Sequence, residues 1–168
     1  IKYLRSLLEP NISIKEIESR ALIALQGPAS EAVLGKYHPQ IKNMKFMDVE
    51  TLTIDGAECW ISRSGYTGED GFEISIPAEA AEPITRSILS NQNVEFIGLG
   101  ARDSLRLEAG LCLYGHDIDR ATTPVEASLT WAIQKARRSN GARARGVMGS
   151  DMIRKQVAGG PNTKCGGF

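Results

Sequence analysis

The alternation of apolar and polar residues predicts an antiparallel sheet in the first half of the chain. Residues 20–26 form a nearly continuous apolar run that ends at Gly27-Pro28, which is typical of a strand buried on both faces. Residues 46–54 and 57–63 flank Asp55-Gly56, a dipeptide that strongly favours a tight hairpin turn. Residues 72–76 alternate again, so the pattern predicts four principal strands.

Helical signals lie between and after these strands. Pro28 suits the first turn of a helix through residues 32–34. Residues 78–89 form an alanine-rich amphipathic stretch, and residues 99–109 predict a second long helix that ends before Gly110.

The order of these elements predicts an α+β fold in which the helices pack on one face of an antiparallel sheet. A short helical tail over residues 4–8 and a short strand over residues 94–97 complete the prediction.

Composition adds limits on function. The 168 residues are 42% hydrophobic, and 20 Lys and Arg balance 20 Asp and Glu, so no whole-chain field favours nucleic acid or an anionic membrane. The apolar runs are shorter than the roughly 20 residues that span a bilayer. Three widely spaced cysteines, Cys59, Cys112 and Cys165, fit neither a disulfide framework nor a zinc site. We therefore expect a reducing compartment and no nucleic-acid, membrane or metal partner.

The two ends of the sequence suggest a piece of a longer protein. The chain begins at Ile1 rather than Met and stops at Phe168. Composition becomes basic and glycine-rich over residues 141–146, and a second glycine-proline breaker follows at residues 159–162. We predict one α+β domain over residues 1–140, and a linker leading into a further C-terminal domain over residues 141–168.

The most informative local feature is the glycine-rich turn, residues 64–71, which leads directly to Glu73 within the apolar strand 72–76. A carboxylate buried without a partner costs several kcal/mol, so such a group is normally kept for a ligand, a metal or an internal cation. A pterin ring, with adjacent N–H and NH2 donors, could satisfy it in a bidentate pair. Glu73 could equally face solvent on the polar side of the strand, and the local pattern leaves both readings open.

Other charged residues have plainer interpretations. One predicted helix carries four charged residues, Arg102, Asp103, Arg106 and Glu108. Neighbours at i,i+4 share a helix face, so surface ion pairs are the plain interpretation of all four. Arg102 is the candidate second anchor for a ligand. Arg137-Arg138 and residues 143–145 form a local basic cluster.

The remaining chemical groups indicate structure rather than catalysis. Gly65, Gly68 and Gly71 match neither a phosphate-binding nor a dinucleotide motif, and they predict a tight bend that admits a ligand or another backbone. His38 and His116 are isolated from metal-ligand spacing. We expect Trp60 and Trp131 at a core or interface, and Cys112 as a core thiol.

Three longer segments carry a resemblance to a known family. They are residues 25–28 (LQGP), residues 65–73 (GYTGEDGFE) and residues 101–115 (ARDSLRLEAGLCLYG), supported by residues 117–119 and 122–126. Together they resemble aminomethyltransferase, the T protein of the glycine cleavage system, over roughly residues 20–140.

The resemblance implies a transferase of glycine catabolism and one-carbon metabolism. Such an enzyme transfers an aminomethyl group from the lipoyl arm of the H protein to tetrahydrofolate and releases ammonia. Glu73 matches the family's folate-binding carboxylate, Arg102 its pteridine-site arginine, and Tyr66 a tyrosine of the folate pocket. The implied compartment is the bacterial cytoplasm or the mitochondrial matrix.

The resemblance covers only the central part of the family's length. The catalytic aspartate lies in an N-terminal segment that has no match here, and the C-terminal β-barrel domain would follow Phe168. The expectation is therefore a partial folate site without a catalytic residue, inactive by itself. Two alternatives remain open: a folate-binding relative that acts in iron-sulfur assembly or in a dimethylglycine or sarcosine dehydrogenase, and a noncatalytic fragment.

Overall fold

We describe the structure from a computed structural model of the 168-residue chain. The description covers residues 1–138, 141–144 and 149–166. Arg145 and Gly146, which belong to the predicted basic and glycine-rich segments, lie outside these residues.

The chain forms a four-stranded antiparallel sheet, which confirms the predicted α+β class. Its strands are β1 (Arg20–Gln26), β2 (Val49–Ile54), β3 (Ala57–Ser62) and β4 (Gly71–Pro77). Their spatial order is β1-β4-β3-β2, so β4 lies in the interior of the sheet between β1 and β3. The predicted hairpin is present, with Asp55 and Gly56 both at positive φ between β2 and β3.

One face of the sheet carries the hydrophobic core. Phe72, Ile74 and Ile76 point to this face of β4 and are fully buried. Helices α2 (Ser30–Leu34) and α3 (Ala81–Leu89) pack over it through residues such as Leu34 and Ile84. These apolar side chains recur with strand periodicity on β4, which explains why the strand folds against the helices.

The opposite face of the sheet is open. Leu22 of β1 is 66% exposed, and the Arg20 guanidinium stacks 3.9 Å from the Trp60 ring centroid. The expectation that the strand over residues 20–26 is buried on both faces is therefore wrong. Trp60 is partly covered by Arg20 rather than placed in the core, which favours the cation–π contact as the reason for its position.

The remaining helices are α1 (Lys2–Leu7), α4 (Leu99–Glu108) and α5 (Ser150–Gly159), and short 3₁₀ turns occupy Pro39–Asn43, Ala78–Ala80, Thr130–Ala132 and Lys135–Arg137. Residues 94–97 are irregular, so the short strand predicted there is wrong. Val94 packs against the core, but Phe96 and Ile97 are both exposed, so the run lacks the alternating burial of a strand.

Two compact units divide the chain. The first consists of residues 1–65 and 69–96 and contains the sheet, and the second consists of residues 66–68 and 97–168 and contains α4 and α5. The domain boundary predicted near residue 140 remains a prediction, although α5 is a helix that the sequence pattern did not indicate. No helix in the described ranges is long and apolar enough to cross a membrane.

Candidate functional site

Glu73 lies on the open face of the sheet, near the start of β4. Its neighbours in register are Ala24 on β1 and Ser62 on β3. The alternation along β4 buries Phe72 and Ile74 on the helix side and leaves Glu73 half-buried on the other. The backbone of an interior strand is paired on both sides, so it holds the carboxylate at a fixed place.

A hydroxyl pair orients the Glu73 carboxylate. Ser64 Oγ donates a 2.7 Å hydrogen bond to Glu73 Oε2, and Ser62 Oγ lies 2.7 Å from Ser64 Oγ. No described residue donates a hydrogen bond to Glu73 Oε1. The carboxylate is thus fixed through one oxygen and retains acceptor capacity at the other, which can bind a donor pair on a ligand.

Gln26 fills the inside of the glycine-rich turn. Its side-chain amide donates hydrogen bonds to the carbonyls of Ser64 at 3.1 Å and Phe72 at 3.3 Å. A Cβ at Gly65 would lie 1.8 Å from Gln26 Oε1, and one at Gly71 would lie 2.5 Å from the Gln26 amide carbon. The predicted close approach is therefore present, but the neighbour at both glycines is a side chain rather than a ligand or another backbone.

Arg63 anchors the other side of this turn. Its guanidinium donates to Asp70 at 2.6 and 3.0 Å, to Glu31 at 2.7 Å and to the Met44 carbonyl at 2.8 Å. Sequence reasoning missed this residue, although opposite charges at positions 63 and 70, one on each side of the turn, were a usable signal. The hydrogen bonds from Arg63 hold the pKa of the Asp70 carboxyl below its usual range.

Replacing Asp70 by asparagine should reduce the amount by which the free energy of unfolding falls as the pH is lowered. A carboxyl with a lowered folded-state pKa stabilises the fold above its unfolded value near 3.9, and that stabilisation disappears as pH falls through the folded value. We expect Asp70→Asn to cost less than about 1 kcal/mol at pH 7, because the Asp70 side chain is 39% exposed. The difference from wild type should vanish toward pH 2 in urea-unfolding series.

Asp55→Asn is the matched control for that series. Asp55 lies at positive φ in the hairpin turn and has no ion pair among the described residues. Asparagine accepts this backbone conformation. A pH-dependent difference as large for Asp55→Asn as for Asp70→Asn would contradict the role assigned to the Arg63 pair.

Tyr66 and Arg102 come together within the second compact unit. The Arg102 guanidinium lies 5.4 Å from the Tyr66 ring centroid, and the Tyr66 hydroxyl donates to the Cys112 carbonyl. Burial raises the pKa of the Tyr66 phenol, so it is held as a neutral donor. The Arg102 residue is exposed, which leaves its planar donors available to a ligand beside a fixed aromatic ring.

Arg106 has a structural role that corrects the prediction of a surface ion pair. The residue is 2% exposed, and its guanidinium donates to Asp103 at 2.7 Å, to Asp117 at 2.5 Å and to the Leu111 carbonyl at 3.1 Å. These bonds fasten the loop after α4 to the helix. Hydrogen bonds from the Leu113 amide and from Arg106 lower the pKa of Asp117.

The structure also accounts for predicted histidine, cysteine and tryptophan side chains. His38 Nε2 lies 2.9 Å from the Thr53 carbonyl, which accounts for that histidine. Cys59 is the buried thiol, whereas Cys112 is half-buried, and Trp131 is 67% exposed rather than part of a core. Within the described ranges, no group of three or more His, Cys, Asp or Glu side chains could hold a metal ion.

The predicted ligand residues therefore fall in two places. Glu73 lies in the unit that contains the sheet, and Tyr66 and Arg102 lie in the unit that contains α4. Sequence reasoning located all three residues but missed the supporting contacts of Ser64 and Gln26.

Comparison with known proteins gives a consistent result. A family model described as the GCVT N-terminal domain matches residues 1–137. The mitochondrial aminomethyltransferase of Solanum tuberosum is 49% identical over 154 residues, covering 90% of this chain and 37% of that protein. A probable mitochondrial aminomethyltransferase of Schizosaccharomyces pombe is 46% identical, covering 94% of this chain and 40% of its own length.

A solved structure agrees with these relatives. The crystal structure of glycine cleavage system aminomethyltransferase T from Bartonella henselae superposes with a TM-score of 0.71 at 43% identity. The superposition covers 84% of this chain and 37% of the Bartonella henselae chain. The chain thus spans less than half of the length of the relatives it matches. On this agreement of family model, sequence and fold, the chain belongs to the aminomethyltransferase family of glycine cleavage T proteins.

Proposed function

We propose that this chain supplies the pterin-binding part of an aminomethyltransferase that passes an aminomethyl unit from the lipoyl arm of the H protein to tetrahydrofolate and releases ammonia. The observation that carries the proposal is the Glu73 carboxylate on the open sheet face, oriented by Ser64 at 2.7 Å and still able to accept further hydrogen bonds. Family membership supplies the reaction class.

The hydrogen-bonding capacity of Glu73 supports a pterin as the ligand. Adjacent N–H and NH2 groups on the ring present two parallel donors, and a carboxylate accepts both in a charge-assisted pair. Each carboxylate oxygen has two lone-pair positions, so Oε2 can keep the Ser64 bond while it accepts one ligand donor. Orientation by the strand and by Ser64 reduces the freedom that ligand binding must restrict.

Tyr66 and Arg102 supply a second set of contacts in this proposal. The Tyr66 ring is held by the hydrogen bond from its hydroxyl to the Cys112 carbonyl, which leaves a fixed aromatic surface. Arg102 projects fork-like donors beside that surface and would bind an oxygen of the folate. Neither residue would exchange a proton with the substrate, so both act in binding and positioning.

No residue of this chain is assigned a catalytic role. The two aspartates nearest to these motifs are already engaged, because Asp70 accepts from Arg63 and Asp103 accepts from Arg106. A carboxylate held by a guanidinium is a weak base. This engagement supports the proposal that the catalytic aspartate lies outside residues 1–168, and that the chain binds folate without turning it over.

The partners and the compartment are part of the same proposal. The H protein and its lipoyl arm would deliver the one-carbon unit to tetrahydrofolate. The relatives reported above include mitochondrial proteins and a bacterial one, so we propose either the mitochondrial matrix or the bacterial cytoplasm.

Calorimetric titration of tetrahydrofolate tests the proposal. We expect saturable binding to the 168-residue chain with an affinity at least about tenfold below that of a full-length relative, a difference of about 1.4 kcal/mol. No aminomethyl transfer should be detected with lipoylated H protein. Absence of saturable binding at millimolar ligand would contradict the pterin site, and an affinity equal to that of the full-length relative would contradict its being partial.

A further inference from the structure

A cavity of about 830 Å³ lies within the second compact unit. Its wall includes residues of α5 and of the segments around the Thr130–Ala132 and Lys135–Arg137 turns. Apolar side chains form much of the lining, among them Val125, Ile133, Ile153 and Val157. A volume of this size and an apolar lining are typical of small-molecule sites, which range over about 300–1,000 Å³.

The charged residues that line this cavity all have the same sign. Arg137, Arg138, Arg154 and Lys164 contribute to the wall, and the described lining includes no Asp or Glu. The whole chain has equal numbers of basic and acidic residues, so this is a local excess of positive charge. Four cations do not attract a neutral apolar ligand, whereas they attract an anionic head group.

The four basic residues differ in how far they are already engaged. Arg138 donates to the carbonyls of Ile133 at 3.0 Å and Thr130 at 3.3 Å, so it helps to shape the wall. Arg154 forms an ion pair with Asp151, which is 92% exposed. Lys164 has no hydrogen bond or ion pair with a described residue. Arg137 donates to the Arg143 carbonyl at 3.4 Å. Because an ion pair with an exposed carboxylate is weak, Lys164 and Arg154 are the cations most able to turn to a ligand.

Glu126, which contacts the lining residue Gln156, does not compensate for this charge. Glu126 accepts from the Thr123 amide at 2.8 Å and from the Gln156 side chain at 3.3 Å. Its two oxygens thus bind neutral donors within the fold rather than the cations of the lining.

We propose that this cavity binds a small amphipathic anion, with an aliphatic or aromatic body in the apolar interior and a carboxylate or phosphate head at Lys164 and Arg154. None of the residues assigned to the pterin lines the cavity. The proposal is therefore independent of the proposed function, and either can fail without the other.

Paired ligands of identical body and different head group test this assignment on the 168-residue chain. Decanoate and decyl phosphate, each below its micelle-forming range, should displace the fluorescent anion 1-anilinonaphthalene-8-sulfonate. Decanol should be at least about tenfold weaker, because it lacks the charge-assisted contact. The preference for the anions should shrink between 20 mM and 500 mM salt, since exposed charge pairs are screened.

Single-charge variants locate the head group. Lys164→Gln and Arg154→Gln should each weaken decanoate binding by about threefold or more and leave decanol unchanged. Lys155→Gln is the matched control: this exposed α5 residue removes the same charge one position from Arg154 but does not line the cavity. It should leave decanoate affinity within about twofold.

Several results would overturn the proposal. Equal affinity for decanol and decanoate would mean that only apolar contacts contribute to binding. No displacement by any of the three ligands would mean that the cavity does not bind such ligands. An equal effect of Lys155→Gln and Lys164→Gln would indicate a general surface field instead of a placed head group. Circular dichroism of each variant separates these outcomes from loss of folding.

Discussion

Replacing Glu73 by alanine is expected to weaken tetrahydrofolate binding by about 2–5 kcal/mol, the usual cost of removing one partner of a hydrogen-bonded charged pair. The half-buried position of Glu73 favours the lower end, because water can reach the site in part. A loss of about 2 kcal/mol raises the dissociation constant about thirtyfold, so in the 168-residue chain saturation should move to correspondingly higher tetrahydrofolate concentrations.

Glu58→Ala is the matched control for this experiment. Glu58 lies on β3, is exposed, and points to the same open face as Glu73 by the alternation of the strand. It has no side-chain hydrogen bond with a described residue. Its removal changes the net charge by the same amount and should leave affinity within about twofold. A Glu73→Ala chain that binds tetrahydrofolate as tightly as wild type would remove the pterin assignment.

Glu73→Gln separates charge from geometry at the same position. Glutamine keeps one acceptor oxygen and can still accept the hydrogen bond from Ser64. It lacks the negative charge and the second oxygen that a bidentate, charge-assisted pair with the ligand requires. The affinity of Glu73→Gln should fall between that of wild type and that of Glu73→Ala. An affinity below that of the alanine variant would indicate that shape rather than charge limits the site.

The sheet was predictable from sequence because its signals are local. Apolar alternation identified β4, and Asp55-Gly56 identified the β2–β3 turn, where both residues adopt positive φ. The open face was not predictable, because an apolar residue such as Leu22 gives the same sequence pattern in a covered strand as it does here, where it is 66% exposed. Burial of a strand depends on which elements pack over it, and that information lies elsewhere in the chain.

The charged residues show the same division between local and long-range information. The sequence placed Arg106 and Asp103 on one helix, where the structure pairs them at 2.7 Å. The burial of Arg106 depends on Asp117, which the loop after α4 brings within 2.5 Å. The acceptor role of Glu73 depends likewise on Ser64, nine residues away across a turn. Motif reading located both residues, and only the fold distinguishes the structural arginine from the available carboxylate.

The position of Glu73 also depends on the core on the other side of β4. Phe72 is fully buried, and the Arg63 guanidinium lies 5.3 Å from its ring centroid. Phe72→Ala should destabilise the first compact unit by about 3–5 kcal/mol, through lost burial and the cavity that remains. That is a large fraction of the 5–15 kcal/mol typical of a folded domain. Urea unfolding followed by Trp60 fluorescence in a Trp131→Phe background measures it.

A second phenylalanine in the same unit supplies the control for this prediction. Phe96 is 79% exposed, so Phe96→Ala removes an identical side chain without opening a cavity and should change stability by less than about 0.5 kcal/mol. If Phe72→Ala does not fold, Phe72→Leu retains most of the volume and should cost less, which keeps the comparison measurable. Equal costs for the two alanine variants would mean that Phe72 does not support β4. The position of the neighbouring carboxylate would then depend on strand pairing and on Ser64, and not on the burial of Phe72.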